Sequence, residues 1–271
     1  MNTVFTNISG QGEPLVVLHG WGMIHKVWSP VKTELERHFQ VVWVDLPGHG
    51  QSKGMDLGSL DETVESIISM LNEVMPIKPV HVMGWSLGGL IAQRLAEQFP
   101  DHVRSLVLVA SSPSFVQRDN WPHAMATEVL DGFVESLQNN FALTIKRFLS
   151  LQFMGVKGVQ ADVKRLREDI LTTPPDINVL QAGLLLLKNT DLRNAKITCP
   201  QHWIFGELDK LVPVSVAEDI TALSERDQQQ IILTTITTIK NAGHAPFISH
   251  PDEFVSSIRD SLLIDSQVGS L

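Results

Sequence analysis

Gly84-Trp85-Ser86-Leu87-Gly88 is the segment of this sequence best suited to covalent chemistry. It is a G-x-S-x-G pattern with the apolar run Val80-His81-Val82-Met83 before it and a helical run, Leu87 to Phe99, after it. A serine at a tight strand-to-helix turn projects its hydroxyl clear of the sheet. Glycine at 84 and 88 leaves room for the turn, and Gly89 lets the helix approach the neighbouring strand. A serine hydroxyl is protonated at neutral pH and needs a base to become a nucleophile. Of the ten histidines, His244 lies in Asn241-Ala242-Gly243-His244-Ala245-Pro246-Phe247, directly after the last expected strand. The base in turn needs a carboxylate to hold its tautomer and stabilise the imidazolium. Gly206-Glu207-Leu208-Asp209-Lys210-Leu211-Val212-Pro213 offers Asp209, with Glu207 as competitor. Turn length does not decide between them; the place of Asp209 before Leu-Val-Pro favours it. Acyl transfer also needs two N–H donors for the developing oxyanion, each worth about 3 kcal/mol. Leu87 supplies one, and Trp21, in His19-Gly20-Trp21-Gly22, supplies the other. His19 reads as a structural residue that holds this loop by hydrogen bonds.

These residues have to be carried to one place by the surrounding elements. Leu15 to Leu18, Val41 to Val44, Val80 to Met83 and Ser105 to Ala110 are short apolar runs closed by turn residues, which predicts buried parallel strands. Helical stretches separate them, notably Leu60 to Val74 and Leu87 to Phe99. The alternation predicts an α/β, doubly wound, mostly parallel sheet with helices on both faces. The pattern breaks after Ala110. Leu130, Val134, Leu137, Phe141, Ile145, Phe148 and Gln152 recur at steps of three and four, as do Val159, Val163, Leu166 and Ile170. Strand signals resume at His202 to Phe205 and at Ile231 to Ile239. The chain therefore divides into a core, residues 1–111 and 188–264, an inserted all-helical lid, 112–187, and a loose tail, 265–271.

Composition narrows the class of function. The 271 residues carry 21 Lys and Arg against 30 Asp and Glu, a formal charge of −9, with 43% hydrophobic residues. That is globular composition with ample core. The net negative charge argues against binding to nucleic acid or to an anionic membrane surface. The single cysteine, Cys199, excludes an intramolecular disulfide and reads as a small buried residue. No apolar run approaches the roughly 20 residues of a membrane span, and the opening residues lack the pattern of a signal peptide. A protein of the reducing cytoplasm, working as a monomer, is expected.

Other candidate groups carry less. His81 lies inside a strand and reads as a satisfied core histidine, and His49 as a turn residue. The remaining histidines form no metal-ligand spacing, so no metal or other cofactor is expected. Asp45 ends a strand, but no G-x-G-x-x-G accompanies it, which argues against a dinucleotide site. Serine rather than aspartate in the elbow favours hydrolysis through an acyl-enzyme.

Taken together, LVVLHGWG (15–22), VDLPGHGQS (44–52) and GWSLGGL (84–90) resemble the α/β-hydrolase superfamily, and the match runs over roughly residues 1 to 264. Trp85 beside the serine, RFLSLQFMG (147–155) and HAPFISHP (244–251) are similar to a narrower family, the biotin-pathway pimeloyl-[acyl-carrier protein] methyl ester carboxylesterases. The resemblance implies hydrolysis of a terminal methyl ester while the acyl chain is still attached to an acyl-carrier protein. It supports Asp209 as the triad acid. It implies substrate contacts at Trp21, Trp85, Ser86, Leu87, at Phe148, Leu149, Ser150, Leu151 and Gln152, and at His244. It also implies carrier contacts through basic residues of the lid. Arg147 matches that pattern, whereas Leu143, Gln160 and Lys164 stand where other basic residues are expected.

Charge in the lid can be weighed on its own. Residues 143–167 hold six basic side chains against Asp162 alone, a local charge of +5 in a chain of −9. The expected carrier-docking set is Lys146, Arg147, Lys164, Arg165 and Arg167; the plainer reading is a solvated face, with Arg165 paired to Asp162 or Asp169. Two other enzyme readings share the triad, a generalist short-chain esterase or thioesterase and a C–C hydrolase. A catalytically silent binding module on the same fold is the alternative outside enzymes.

Overall fold

The computed structural model describes residues 3–76, 79–172, 174–226 and 233–268. Seven strands form one sheet: β1 (Thr6–Ser9), β2 (Glu13–Leu18), β3 (Phe39–Val44), β4 (Val80–Trp85), β5 (Val103–Val109), β6 (Gln201–Gly206) and β7 (Thr234–Ile239). Their spatial order is β1-β3-β2-β4-β5-β6-β7. Strand β1 is antiparallel to β3, and every other pairing is parallel. The central strands are buried along almost their whole length, which is why they read as continuous apolar runs. Helices α1 (Ser29–His38), α2 (Leu60–Val74), α3 (Leu87–Gln98), α8 (Val216–Arg226), α9 (Pro246–Ser249) and α10 (Pro251–Val268) belong to the same α/β part of the chain. Ser59 starts α2 with a reciprocal cap: its hydroxyl accepts from the Glu62 N–H, and its own N–H donates to the Glu62 carboxylate.

Between β5 and β6 the described residues form the helices α4 (Thr127–Asn139), α5 (Phe141–Gln152), α6 (Gln160–Thr172) and α7 (Ile177–Asn189), preceded by isolated bridges that pair Val116 with Met125 and Arg118 with Trp121. The apolar periodicity from Leu130 to Gln152 crosses a break. Asn140 is extended (φ −156°) and its side chain accepts from the Leu143 N–H, so it ends α4 and caps α5.

The register decides where the chemistry can occur. Leu18 pairs with Gly84, Gly84 with Leu108, and Gly206 with Ile239. The carboxyl ends of β2, β4, β6 and β7 therefore finish on one edge, and the loops after them carry Trp21, Ser86, Asp209 and His244. Chain order reverses between β2 and β4, and the crevice at such a point is where open α/β sheets bind ligands.

Three details depart from the sequence reading. Strand β1 was not expected: TNIS is short, half-exposed and pairs only at the sheet edge, so it lacks an apolar signature. Strand β7 starts at Thr234, while Ile231 and Ile232 lie outside the described residues. Helix α10 continues to Val268, so the first four residues of the expected loose tail are helical, and 269–271 lie outside the described residues.

Candidate active site

Ser86 sits between β4 and α3 with φ 55° and ψ −116°, a left-handed conformation that a serine adopts only under constraint. The surroundings impose it. The Ser86 N–H donates to the Val109 carbonyl at 2.9 Å, and its carbonyl accepts from Gly89 N–H at 2.9 Å and from the Ser111 hydroxyl at 2.9 Å. A Cβ on Gly88 would lie 2.5 Å from the Leu18 carbonyl oxygen, and one on Gly89 would lie 2.4 Å from the Ser111 hydroxyl. The first turn of α3 can press against the ends of β2 and β5 only because both residues are glycine.

His244 is held from three directions. Its N–H donates to the Gln152 carbonyl at 2.9 Å, its carbonyl accepts from the Trp85 indole N–H at 2.7 Å, and its Nδ1 lies 2.8 Å from Asp209 Oδ2. Asp209 is oriented in turn by the N–H groups of Leu211 and Val212, which donate to its other oxygen at 2.8 and 3.0 Å. The Leu-Val-Pro context that favoured Asp209 is thus a two-donor clamp. Glu207 points elsewhere and accepts from the Asn241 N–H at 2.9 Å. With Nδ1–H committed to Asp209, His244 Nε2 carries the free lone pair; it is buried and has no protein partner among the described residues. The tie from Trp85 to His244 is made one residue from Ser86, and the two rings lie 5.7 Å apart. Ser86, Asp209 and His244 are 4%, 3% and 1% exposed, so the site is closed to solvent.

The backbone N–H groups of Leu87, first residue of α3, and of Trp21, in the loop after β2, are among those that donate to no acceptor among the described residues. That loop is braced from beneath. His19 Nδ1–H donates to the Gly20 carbonyl at 2.9 Å, and its Nε2 accepts from the Leu46 N–H at 3.0 Å, the structural role expected of it. Burial, with His49 beside it, pushes the His19 pKa down to about 3, so the ring is neutral. The sequence argues against Asp45 as a dinucleotide ligand and assigns it no other role; in the structure it anchors this region. It accepts from the His25 N–H at 2.7 Å, the His25 ring at 2.8 Å and the Gln51 N–H at 2.9 Å. Burial alone would raise its pKa, but these donors outweigh that and hold it at about 2. Its position at the end of β3, before Pro-Gly-His-Gly, was the available signal.

The roof over the elbow comes from the inserted helices. The Trp21 indole donates to the Leu180 carbonyl of α7 at 2.7 Å and meets Phe148 of α5 edge-on, with centroids 4.6 Å apart. Gly183 of α7 lies under that ring, where a Cβ would be 2.7 Å from Cδ1. Leu180 and Gly183 were missed; the isolated glycine in Leu180 to Leu187 is the kind of signal that marks close packing inside a helix. Of the expected substrate-contact stretch, Phe148, Leu149 and Gln152 are buried and Leu151 is half-buried. Ser150 departs from expectation: it is exposed on the opposite side of α5 from Phe148 and Gln152, and its hydroxyl donates to the Lys146 carbonyl at 2.8 Å.

Among the basic residues of the lid, Lys164 lies 3.9 Å from Glu168 and Arg165 3.3 Å from Asp162, both on the same turns of α6. Lys146, Arg147 and Arg167 make no ion pair among the described residues. No cluster of His, Cys, Asp and Glu among the described residues is placed to hold a metal ion. No helix there is long and apolar enough to cross a membrane.

Comparison with known proteins identifies the family. The family model described as the alpha/beta hydrolase fold matches residues 13–251, and the chain belongs to that family. A curated relative, the pimeloyl-[acyl-carrier protein] methyl ester esterase of Proteus mirabilis (strain HI4320), is 40% identical over 262 residues, covering 95% of this chain and 96% of the relative. Among solved structures, an esterase from Exiguobacterium antarcticum superposes with a TM-score of 0.84 at 23% identity, covering 95% of this chain and 94% of the other. A bromoperoxidase from Bacillus anthracis reaches 0.82 at 19% identity, covering 97% and 95%. At those identities the two structures speak to the fold alone.

Proposed function

We propose that the protein is a serine carboxylesterase that hydrolyses the methyl ester of pimeloyl-[acyl-carrier protein] to the free acid, a step of biotin biosynthesis. The full-length similarity to the Proteus mirabilis esterase is the observation that carries the substrate. His244 Nε2 takes the proton from the Ser86 hydroxyl as Oγ attacks the ester carbonyl. The oxyanion is held by the N–H groups of Trp21 and Leu87. Collapse of the intermediate expels methanol, which leaves with the proton from His244, and an acyl-enzyme remains on Ser86. His244 then deprotonates a water that attacks the acyl-enzyme, and the product acid leaves with Ser86 restored. Asp209 keeps Nδ1–H in place and stabilises the imidazolium formed in each half-reaction.

The stretch 112–187 acts as a lid, with Phe148, Leu149 and Gln152 against the acyl chain. The acidic carrier docks on its outer face through Lys146, Arg147 and Arg167, the members of the expected docking set without carboxylate partners among the described residues. Such a patch acts mainly on encounter rate and orientation. A substrate borne on a carrier protein supports a cytoplasmic location, which is part of the same proposal.

The test is turnover of the pimeloyl methyl ester on and off its carrier, by wild type and by Ser86→Ala. Wild type should prefer the carrier-bound ester, and the variant should lose about six orders of magnitude in kcat. Near-normal turnover by Ser86→Ala would overturn the mechanism, and an ester ignored on the carrier would overturn the substrate.

A further inference from the structure

The two expected oxyanion donors come from separate parts of the chain: the Trp21 N–H from the loop after β2, and the Leu87 N–H from the start of α3. One oxyanion can use both only if that loop and that helix keep a fixed spacing. The Trp21 N–H is aimed from beneath. A trans peptide carries its N–H and its C=O on opposite sides. The Gly20 carbonyl accepts from the His19 ring at 2.9 Å and from the Met23 N–H at 3.2 Å. The N–H of the same peptide, that of Trp21, is thereby turned the other way. Aim alone does not fix depth, which is set by what rests on the loop from above.

Helix α7 rests on it. Leu180 packs against Gly22, where a Cβ would lie 3.3 Å from Leu180 Cδ2, and the Leu180 carbonyl accepts from the Trp21 indole at 2.7 Å. One turn further on, Gly183 faces the side chains of both donor residues. A Cβ there would lie 2.7 Å from Trp21 Cδ1 and 3.4 Å from Leu87 Cδ2. Gly183 is interior to a 13-residue helix, where only proline is less favourable than glycine. It is not among the positive-φ residues, so its backbone does not call for glycine. The close approach to the two donors does. The indole has no room to swing away from a Cβ: it is 1% exposed, hydrogen-bonded to α7 and edge-on to Phe148, which Phe133 backs at 5.8 Å.

Resting on the reading given under Proposed function, we propose that Gly183 is a positioning residue for the oxyanion site: its bare Cα lets α7 seat the Trp21 loop against the start of α3 at the spacing one oxyanion requires. Gly183 meets no reacting atom and acts through Trp21. A side chain at 183 pushes the indole, and the backbone N–H with it, out of line with the Leu87 N–H. Ground-state binding of the ester is spared, because the carbonyl oxygen gains its charge only on the way to the tetrahedral intermediate. The loss therefore falls on kcat.

The experiment measures kcat and KM on p-nitrophenyl butyrate, and inhibition by an alkyl trifluoromethyl ketone and by the corresponding alcohol. It compares wild type, Gly183→Ala, Trp21→Ala and the double variant. Ser86 Oγ adds to the ketone carbonyl carbon, its proton passes to His244 Nε2, and the carbonyl electron pair becomes an oxyanion; the alcohol forms no such adduct. Gly183→Ala should lower kcat about 10- to 100-fold, part of the roughly 10²–10³ that a missing oxyanion donor costs. KM should stay within about twofold. Ketone binding should weaken by a like factor, and alcohol binding should not. In the Trp21→Ala background, which keeps the N–H and removes the ring, the same substitution should change kcat by less than about twofold. Unchanged kcat and ketone affinity in a folded Gly183→Ala would overturn the proposal. So would equal weakening of ketone and alcohol, the mark of a residue that shapes the substrate pocket, or a full loss that persists without the Trp21 ring. Should Gly183→Ala not fold, Trp21→Phe, which keeps a ring but loses the bond to Leu180, must show the same kcat-only loss or the proposal falls. A wild type that binds the ketone no better than the alcohol removes the serine mechanism and this inference with it. A wild type that cleaves p-nitrophenyl butyrate but ignores the carrier-bound ester removes only the substrate assigned under Proposed function.

Discussion

Gln152 should stabilise the protein when it is made apolar, and catalysis should suffer. Its side chain is 1% exposed, and neither its amide oxygen nor its amide nitrogen finds a partner among the described residues. Leaving a buried polar group unsatisfied costs about 1–3 kcal/mol. Only its backbone carbonyl is engaged, accepting from the His244 N–H, and that bond survives a side-chain change. Methionine has nearly the same length and volume and removes both orphaned atoms, so Gln152→Met should gain about 2 kcal/mol. For a chain of this size that corresponds to a melting temperature higher by roughly 4 °C. Urea unfolding at unchanged m should show a matching rise in midpoint. If the amide is kept for a polar atom of the substrate, kcat/KM on the ester should fall about tenfold, the equivalent of one hydrogen bond. A lower midpoint at unchanged m would refute the reasoning, since the amide would then be satisfied in the folded protein. A raised midpoint with untouched kcat/KM would refute the functional half alone.

Asp209→Asn should lower kcat by about 10⁴, as loss of the correct histidine tautomer does in other triads, whereas Glu207→Gln should change it by less than about twofold; a larger loss at 207 than at 209 in steady-state kinetics would exchange their roles. Gly88→Ala should destabilise the fold by about 3 kcal/mol through a Cβ 2.5 Å from the Leu18 carbonyl, and a wild-type urea midpoint would show that the elbow can relax. His19 should make the protein acid-sensitive: its folded pKa of about 3 lies below the ordinary 6.5, so between those values the unfolded chain binds a proton that the folded chain does not. Stability should therefore fall as pH drops from 6.5 towards 3, by up to about 1.4 kcal/mol per pH unit from this residue, and urea midpoints unchanged between pH 6.5 and 4.5 would refute it.

What could be read beforehand follows from how local each signal is. The elbow is legible because five consecutive residues and their flanks must all suit one strained turn. The parallel strands are legible because burial on both faces leaves no polar alternation to confuse them. Strand β1 is not, because at a sheet edge its four residues bury little and its pairing comes from β3. The division of labour between Asp209 and Glu207, two residues apart in one turn, is set by side-chain direction; the Leu-Val-Pro context points to Asp209, and its contact with His244 and the Leu211 and Val212 donors supply the physical reason. Ser150 was drawn into the site by its neighbours in sequence, whereas a helix sends residues 148 and 152 one way and 150 the other. Leu180 and Gly183 were invisible as roof residues, because their contact with Trp21 spans about 160 positions of chain.

Charge shows the same difference between a total and an arrangement. A chain of −9 looks unsuited to an acidic partner. Within the +5 segment, α6 neutralises Lys164 and Arg165 with its own carboxylates, through surface pairs worth about 0–1 kcal/mol each. Helix α5 does not: Lys146 and Arg147 stay unpaired among the described residues, on the face opposite Phe148 and Gln152. One helix thus offers cations to the outside while its inner face meets Trp21 and its last carbonyl holds His244. On the proposed function, an acidic carrier held at those cations would sit on the helix whose inner face meets Trp21, and the net negative charge of the chain would disfavour other docking faces.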